Sequence, residues 1–168
     1  MKTGFQRLGP GDTFPSLHAP GASGNEFHLP EYLRSGWGIV LLYRGDWCPF
    51  CRVQLANFQR HTLDFEKLDV RVVAISVDGE DDAKATVERS HLTFPVLYGA
   101  DPDRLAETLG VYVSDDEHGR YVNSTAFIID PSGRVALAVY STGAVGRLVA
   151  EDALALIGYL QQAPSHAR

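Results

Sequence analysis

Cysteine is scarce in this chain, with two in 168 residues, and so sparse a supply excludes a disulfide scaffold as its source of stability. No block of basic residues occurs and the net charge is −6, which speaks against a nucleic-acid partner. No apolar run approaches the roughly 18 residues of a membrane span, so no membrane partner is expected. Between Met1 and Phe14 there is no apolar stretch of signal-peptide length, and the expected location is cytoplasmic. Repeats, low-complexity tracts and internal linkers are absent as well. What is present is ordinary for a globular protein: 45% hydrophobic and 21% charged residues, a balance that rules out disorder, collagen and coiled coil as the main class. The length leads us to expect one domain over residues 1–168 with a core of useful size, and a frayed tail over 161–168.

Lys2 to Leu29 is rich in Gly, Pro and short polar residues, and reads as an extended lead-in with a short hairpin around Gly21 to Asn25. Ile39 to Tyr43 is a short run of β-branched, leucine and aromatic residues, the mark of a buried strand. From Cys48 to about Lys67, Val53, Leu55, Phe58, Thr62 and Phe65 recur at helical spacing, with Pro49 fitting a first-turn position. Val70 to Val77 is a second buried strand; the acidic run Asp78 to Asp82 ends it and opens a helix through about Ser90. Phe94 to Leu97 reads as a short strand, and Asp101-Pro102 opens a helix that Gly110 closes. Ser114 to Tyr121, polar and acidic, reads as a loop. Ala126 to Ile129 and Val135 to Tyr140 flank the turn Asp130 to Gly133 as a hairpin, and Glu151 to Leu160 forms a closing helix. Strand–helix alternation argues a parallel sheet, and the hairpin adds antiparallel strands at one side. The expected class is α/β, a central mixed β-sheet flanked by α-helices.

The two cysteines fall in Trp47-Cys48-Pro49-Phe50-Cys51, where the first buried strand hands over to a helix. Helix N-terminal N–H groups stabilise an anion, so Cys48 should ionise more easily than a free thiol. Residues three apart share a helix face, with Cβ atoms about 5–6 Å apart, within reach of a disulfide after modest adjustment. Cys48 at the helix end is expected to be exposed to attack and Cys51, one turn in, to be shielded. The chemistry would then be asymmetric: Cys48 attacks and Cys51 resolves. Arg44 and Arg52 would favour the thiolate and Asp46 oppose it. Covalent haem needs a His after the second Cys, and residue 52 is Arg; structural zinc needs four ligands, and no second Cys pair or finger-like His pair exists. An inert buried pair and a redox-sensing or partner-binding module without turnover remain as alternatives.

Tyr43-Arg44-Gly45-Asp46-Trp47-Cys48-Pro49-Phe50-Cys51 resembles the active-site turn of thioredoxin-fold redoxins. Gly11 to Pro15, Phe94 to Leu97, Asp101 to Asp103, Leu109 to Val111, Phe127 to Gly133 and Gly146-Arg147 resemble, in order, motifs of the alkyl hydroperoxide reductase/thiol-specific antioxidant (AhpC/TSA) group, the peroxiredoxin-like redoxins. The resemblance spans roughly residues 10 to 160 and implies a thioredoxin-like fold. Where that group has a Pro seven residues and a Thr three residues before its reactive Cys, this chain has Leu41 and Gly45, and where it has an Arg before the "FIID" strand this chain has Ser124.

The resemblance implies a thiol peroxidase in which Cys48 reduces hydrogen peroxide or an organic hydroperoxide and Cys51 resolves the product. A thiol–disulfide oxidoreductase acting on protein or small-molecule disulfides is the alternative. Arg147 is expected to support the charge of the site, as is Arg44, which is adjacent to the Cys turn; for each the competing reading is a surface arginine. Trp47, Pro49 and Thr125 are the expected substrate contacts, with Trp47 also suited to packing over the thiolate. The expected reductant is a thioredoxin-type protein or a low-molecular-weight thiol. The scheme requires no metal and no organic cofactor, and the analogy makes a homodimer plausible.

Overall fold

Alternation inside two apolar runs builds the centre of the molecule, which a computed structural model describes over residues 6–163. In β3 (Trp37–Leu42) and the following Tyr43, Ile39, Leu41 and Tyr43 face one side of the sheet while Val40 and Leu42 face the other. Every residue of β3 is buried, as a strand covered on both faces requires. It pairs in parallel with β4 (Val70–Ile75), which pairs in parallel with β5 (Val96–Leu97). On its other side β3 runs antiparallel to β8 (Thr125–Ile129), and β8 to β9 (Val135–Tyr140), giving the order β5-β4-β3-β8-β9.

One face of this mixed sheet carries α1 (Pro49–Arg60), α2 (Thr62–Lys67), α3 (Glu80–Ser90) and α5 (Ala150–Gln162), which contribute Leu55, Phe58, Phe65, Ala83 and Ile157 to a core that also holds both cysteines. The other face is covered by α4 (Pro102–Leu109) with Leu105 and Leu109, and by the antiparallel pair β1 (Leu17–Pro20) and β2 (Glu26–Leu29). A second antiparallel pair, β6 (Val113–Asp116) with β7 (Gly119–Val122), stands beside α4.

Two expectations are corrected. The helix read from Cys48 to Lys67 is broken at His61, whose backbone leaves the helical region (φ −105°, ψ 13°) while its ring sits between Asp64 and Glu151. Ser114 to Tyr121 is not a loop but the β6–β7 hairpin. Its charges made it look solvated, yet they are paired: Arg120 lies opposite Asp115 in the register and ion-pairs with it and with Asp103. Helix α5 runs through Gln162, with Gln161 donating to the Leu68 carbonyl (2.7 Å); residues 164–168 of the expected tail lie outside the described residues.

Candidate active site

The turn between β3 and α1 is fixed by hydrogen bonds from its backbone N–H groups. Cys48 is the N-cap of α1 and its Sγ accepts the Cys51 N–H at 3.3 Å, with Pro49 in the first turn, where a missing N–H costs nothing. The Cys48 N–H bonds the Gly45 carbonyl (3.1 Å), and the Asp46 N–H bonds Asp78 Oδ2 (2.9 Å). The Asp46 carboxylate is held away by α3, accepting from Thr86 Oγ1 (2.9 Å) and pairing with Arg89. Its expected opposition to a thiolate is therefore largely neutralised. Arg52, expected to help, instead spends its Nε on the Asp46 carbonyl (2.9 Å).

Two other guanidiniums converge on the sulfurs. Arg44 Nη1 lies 3.8 Å from Cys48 Sγ, and the Arg44 N–H donates to Cys51 Sγ (3.3 Å). Arg147, nearly one hundred residues away in sequence, places Nη2 at 3.6 Å from Cys48 Sγ and 3.2 Å from Cys51 Sγ; its Nη1 and Nε are fixed by Gln54 Oε1 (3.0 Å) and the Ala144 carbonyl (2.9 Å). Among the described residues neither arginine has a carboxylate within 4.0 Å. A partly covered cation without a carboxylate favours an anionic sulfur beside it. The Cys48 thiol is accordingly held well below the usual thiol range, by the Cys51 thiol donating to it first, then by the Cys51 N–H, Arg147 and Arg44. Burial pushes the Cys51 thiol up, and the neighbouring Cys48 adds to that rise. The arrangement thus favours the thiolate at Cys48 and the thiol at Cys51, and both sulfurs share the same arginine nitrogen.

Over the turn lies a second layer that the sequence reading did not anticipate. The Trp47 indole stacks on the His118 ring (3.8 Å between centroids, 2° between planes) and meets Tyr121 edge-on at 4.9 Å. Arg44 Nη2 donates to the Tyr121 hydroxyl (3.0 Å), which donates to Asp116 Oδ2 (2.7 Å). All three partners come from β6–β7. The available signal was the two-residue Glu117-His118 turn followed by Gly119 at φ +87°, between segments containing valine and tyrosine.

Cys48 is not exposed as expected: its relative exposure is 0%, because its sulfur turns back onto the helix and the Arg44 and Arg147 side chains lie against it. Cys51 is buried, as read. Pro49 is exposed at the helix head and Trp47 is half-buried. Thr125 departs from the expectation of a substrate contact: it is buried within β8 and its hydroxyl donates to the Asn123 carbonyl (3.1 Å). Arg147 also lines an open groove of about 670 Å³ with Phe50, Val53, Val145 and Val149. Those four apolar side chains are largely exposed.

The AhpC/TSA family profile matches residues 10–138. A Mycobacterium tuberculosis protein named a peroxiredoxin is 33% identical over 146 residues, covering 84% of this chain and 91% of its own. A Syntrichia ruralis protein named a 1-Cys peroxiredoxin is 30% identical over 165 residues, covering 93% of this chain and 75% of its own. Among solved structures, peroxidoxin BcpB of Mycobacterium tuberculosis superposes with a TM-score of 0.78 at 22% identity (92% of this chain, 99% of the other), and a peroxiredoxin 6 of Arenicola marina with 0.80 at 23% (92% and 74%). At these identities the superpositions show the fold, which is the thioredoxin-like fold of those proteins.

Proposed function

The chain belongs to the AhpC/TSA family, and from that premise we propose that it is a peroxiredoxin-type thiol peroxidase in which Cys48 reduces a hydroperoxide and Cys51 resolves the product. One observation carries the assignment of roles: two guanidiniums without carboxylate partners meet at the sulfur that caps α1.

The Cys48 thiolate attacks one oxygen of the peroxide. An S–O bond forms, the O–O bond breaks, and the departing alkoxide or hydroxide takes up a proton and leaves as alcohol or water. Arg44 and Arg147 face the sulfur where negative charge shifts from it to the leaving oxygen, which is the placement that stabilises such a transition state. Because Cys48 is covered at rest, access requires a local displacement among the side chains that lie against it. The Cys51 thiol then attacks the Cys48 sulfenic acid; an S–S bond forms and water leaves, carrying the Cys51 proton and the sulfenic hydroxyl. Two electrons and two protons from an external dithiol, a thioredoxin-type protein or a small thiol, return both cysteines to the thiol form. A reducing compartment, the cytoplasm, suits two free thiols. Exposed Pro49 and the half-buried Trp47 border the approach to the pair, and we assign them contacts with the substrate or the reductant. A homodimer is retained by analogy with the family.

Stopped-flow mixing of the reduced protein with hydrogen peroxide and an organic hydroperoxide tests the first step; a rate no faster than that of free cysteine overturns it. Mass spectrometry after one equivalent of peroxide tests the second. The native chain should lose two mass units, and Cys51→Ser should instead gain one oxygen, trappable by a sulfenic-acid reagent.

Gly45 in the place of the family's Thr favours a second reading, a thiol–disulfide oxidoreductase, since the hydroxyl that helps hold a peroxide is missing. Insulin reduction measured beside peroxide consumption separates the two, and Cys51→Ser would trap a mixed disulfide at Cys48 if disulfides are the substrate.

A further inference from the structure

Arg44 is a long side chain asked to hold one position with little to hold it. Among the described residues, Nη1 makes only the 3.8 Å contact with Cys48 Sγ, and the buried Nε has no hydrogen-bond partner. The short bond of its guanidinium is the one from Nη2 to the Tyr121 hydroxyl, at 3.0 Å. The rings of Trp47 and Tyr121 lie 4.8 and 5.2 Å from the Arg44 Cζ and restrict it sideways, but neither sets how far it reaches toward the sulfur.

We propose that Tyr121, backed by Asp116, is a positioning residue for the reaction at Cys48: it fixes the Arg44 guanidinium against the sulfur. The proposal rests on the thiol-peroxidase reading for its consequence and on geometry for its content. Tyr121 is 3% exposed, on a strand whose register with β6 places it opposite Ser114. Its hydroxyl donates to Asp116 Oδ2 at 2.7 Å, which turns a lone pair toward Arg44 and makes the phenol a better acceptor. Asp116 is itself set by the His118 N–H on Oδ1 (2.8 Å). The interposed phenol also keeps the Asp116 carboxylate out of ion-pair range of Arg44. A direct pair would neutralise the cation; a relayed one orients it and leaves its charge to the thiolate. The hairpin β6–β7 is thus part of the site: it supplies the anchor for an arginine that comes from the opposite side of the turn.

The test is a thiolate titration by absorbance at 240 nm on the reduced full-length chain and on Tyr121→Phe, Arg44→Gln and the double variant. Tyr121→Phe keeps the ring that packs on Trp47 and loses only the hydroxyl; near-ultraviolet circular dichroism checks that the packing is kept. Tyr121→Phe should raise the titration midpoint by about one pH unit, as loss of an ordered cation beside a thiolate does. Arg44→Gln should raise it at least as far, and the double variant no further than Arg44→Gln alone, because both changes remove the same contact. A midpoint unchanged by Tyr121→Phe, a midpoint unchanged by Arg44→Gln, or additive shifts in the double variant would each overturn the proposal. If the wild-type chain fails to consume peroxide, the titration still decides whether Tyr121 positions Arg44, so the two readings fail separately.

Discussion

A Cβ placed on Gly45 would stand 2.4 Å from the Trp47 indole nitrogen, closer than any pair of non-bonded atoms tolerates, and 3.0 Å from Asp78 Oδ1. The indole and a backbone held at φ +156° therefore both reserve this position for glycine. With Trp47 packed between Arg44 and His118, position 45 has no room for the threonine that related redoxins carry there.

Gly45→Thr alone should destabilise the protein by about 1–3 kcal/mol, the usual cost of forcing atoms into a filled site. Gly45→Thr should cost less in a Trp47→Val background, where the space is vacated, than in the wild-type chain. Chemical denaturation of both single variants and the double variant checks this; an equal cost of Gly45→Thr in the two backgrounds would mean that the indole is not what excludes the side chain.

Arg147 reaches both sulfurs with one nitrogen while Gln54 and the Ala144 carbonyl occupy the other two. Arg147→Lys should not substitute for it, since a single ammonium cannot satisfy those groups at once. Either Arg147→Lys or Arg147→Gln is expected to lower the second-order rate with peroxide by about 100–1,000-fold, the range for removing one preorganised donor from a developing charge. Stopped-flow kinetics at saturating thiolate would read it, and a lysine variant at wild-type rate would refute the need for the planar fork.

The parts of the site that lie close together in sequence were legible, and those assembled across the fold were not. Cys48 at the head of α1 follows from a strand, a turn and a Pro at the first helical position; α4 follows from Asp101 as cap and Gly110 at its end, and both caps are present. Arg147 could be named only through a Gly-Arg motif, because nothing local ties it to a cysteine 99 residues earlier. The burial of Cys48 was illegible for the same reason, since the side chains against it include that distant arginine. Tyr121 and Asp116 were hidden by composition: a strand pair whose charges are matched by Arg120 looks like solvated chain until its partners are seen. Asp46 misled in the opposite sense, its charge being answered from α3 by Arg89.

Asp78 caps the underside of the turn, and burial raises its carboxyl to about 6. A carboxyl raised in the folded state favours the fold most below its unfolded value of about 3.9, and that advantage is lost as pH rises through the folded value. Between about pH 4 and 6 this group should therefore erode stability as it ionises. Asp78→Asn keeps an oxygen for the Asp46 N–H and removes the charge. It should be more stable than wild type at pH 7 by about 1 kcal/mol once solvent screening is allowed for, with the difference fading toward pH 4. Urea unfolding at the two pH values measures it; a difference of the same size at both would show that the charge is not the cause.

The cysteine pair makes a stability prediction with two limbs. Cys48 is depressed in the folded state, so the native chain has already released its proton over a range where the unfolded chain still holds it. Stability of the reduced protein should rise with pH through that window, from below neutrality to the ordinary thiol value of about 8.5, with a slope approaching about 1.4 kcal/mol per pH unit, the limit for one proton. Cys51 is raised, so above about pH 8.5 the unfolded chain releases a proton that the native chain keeps, and stability should fall again. Cys48→Ser should flatten the rising limb and leave the falling one; Cys51→Ser should remove the falling limb. Guanidinium unfolding of the three reduced chains at pH 5 to 10 reads both limbs. A rising limb that survives Cys48→Ser would place the thiolate elsewhere and remove the basis for treating Cys48 as the attacking sulfur.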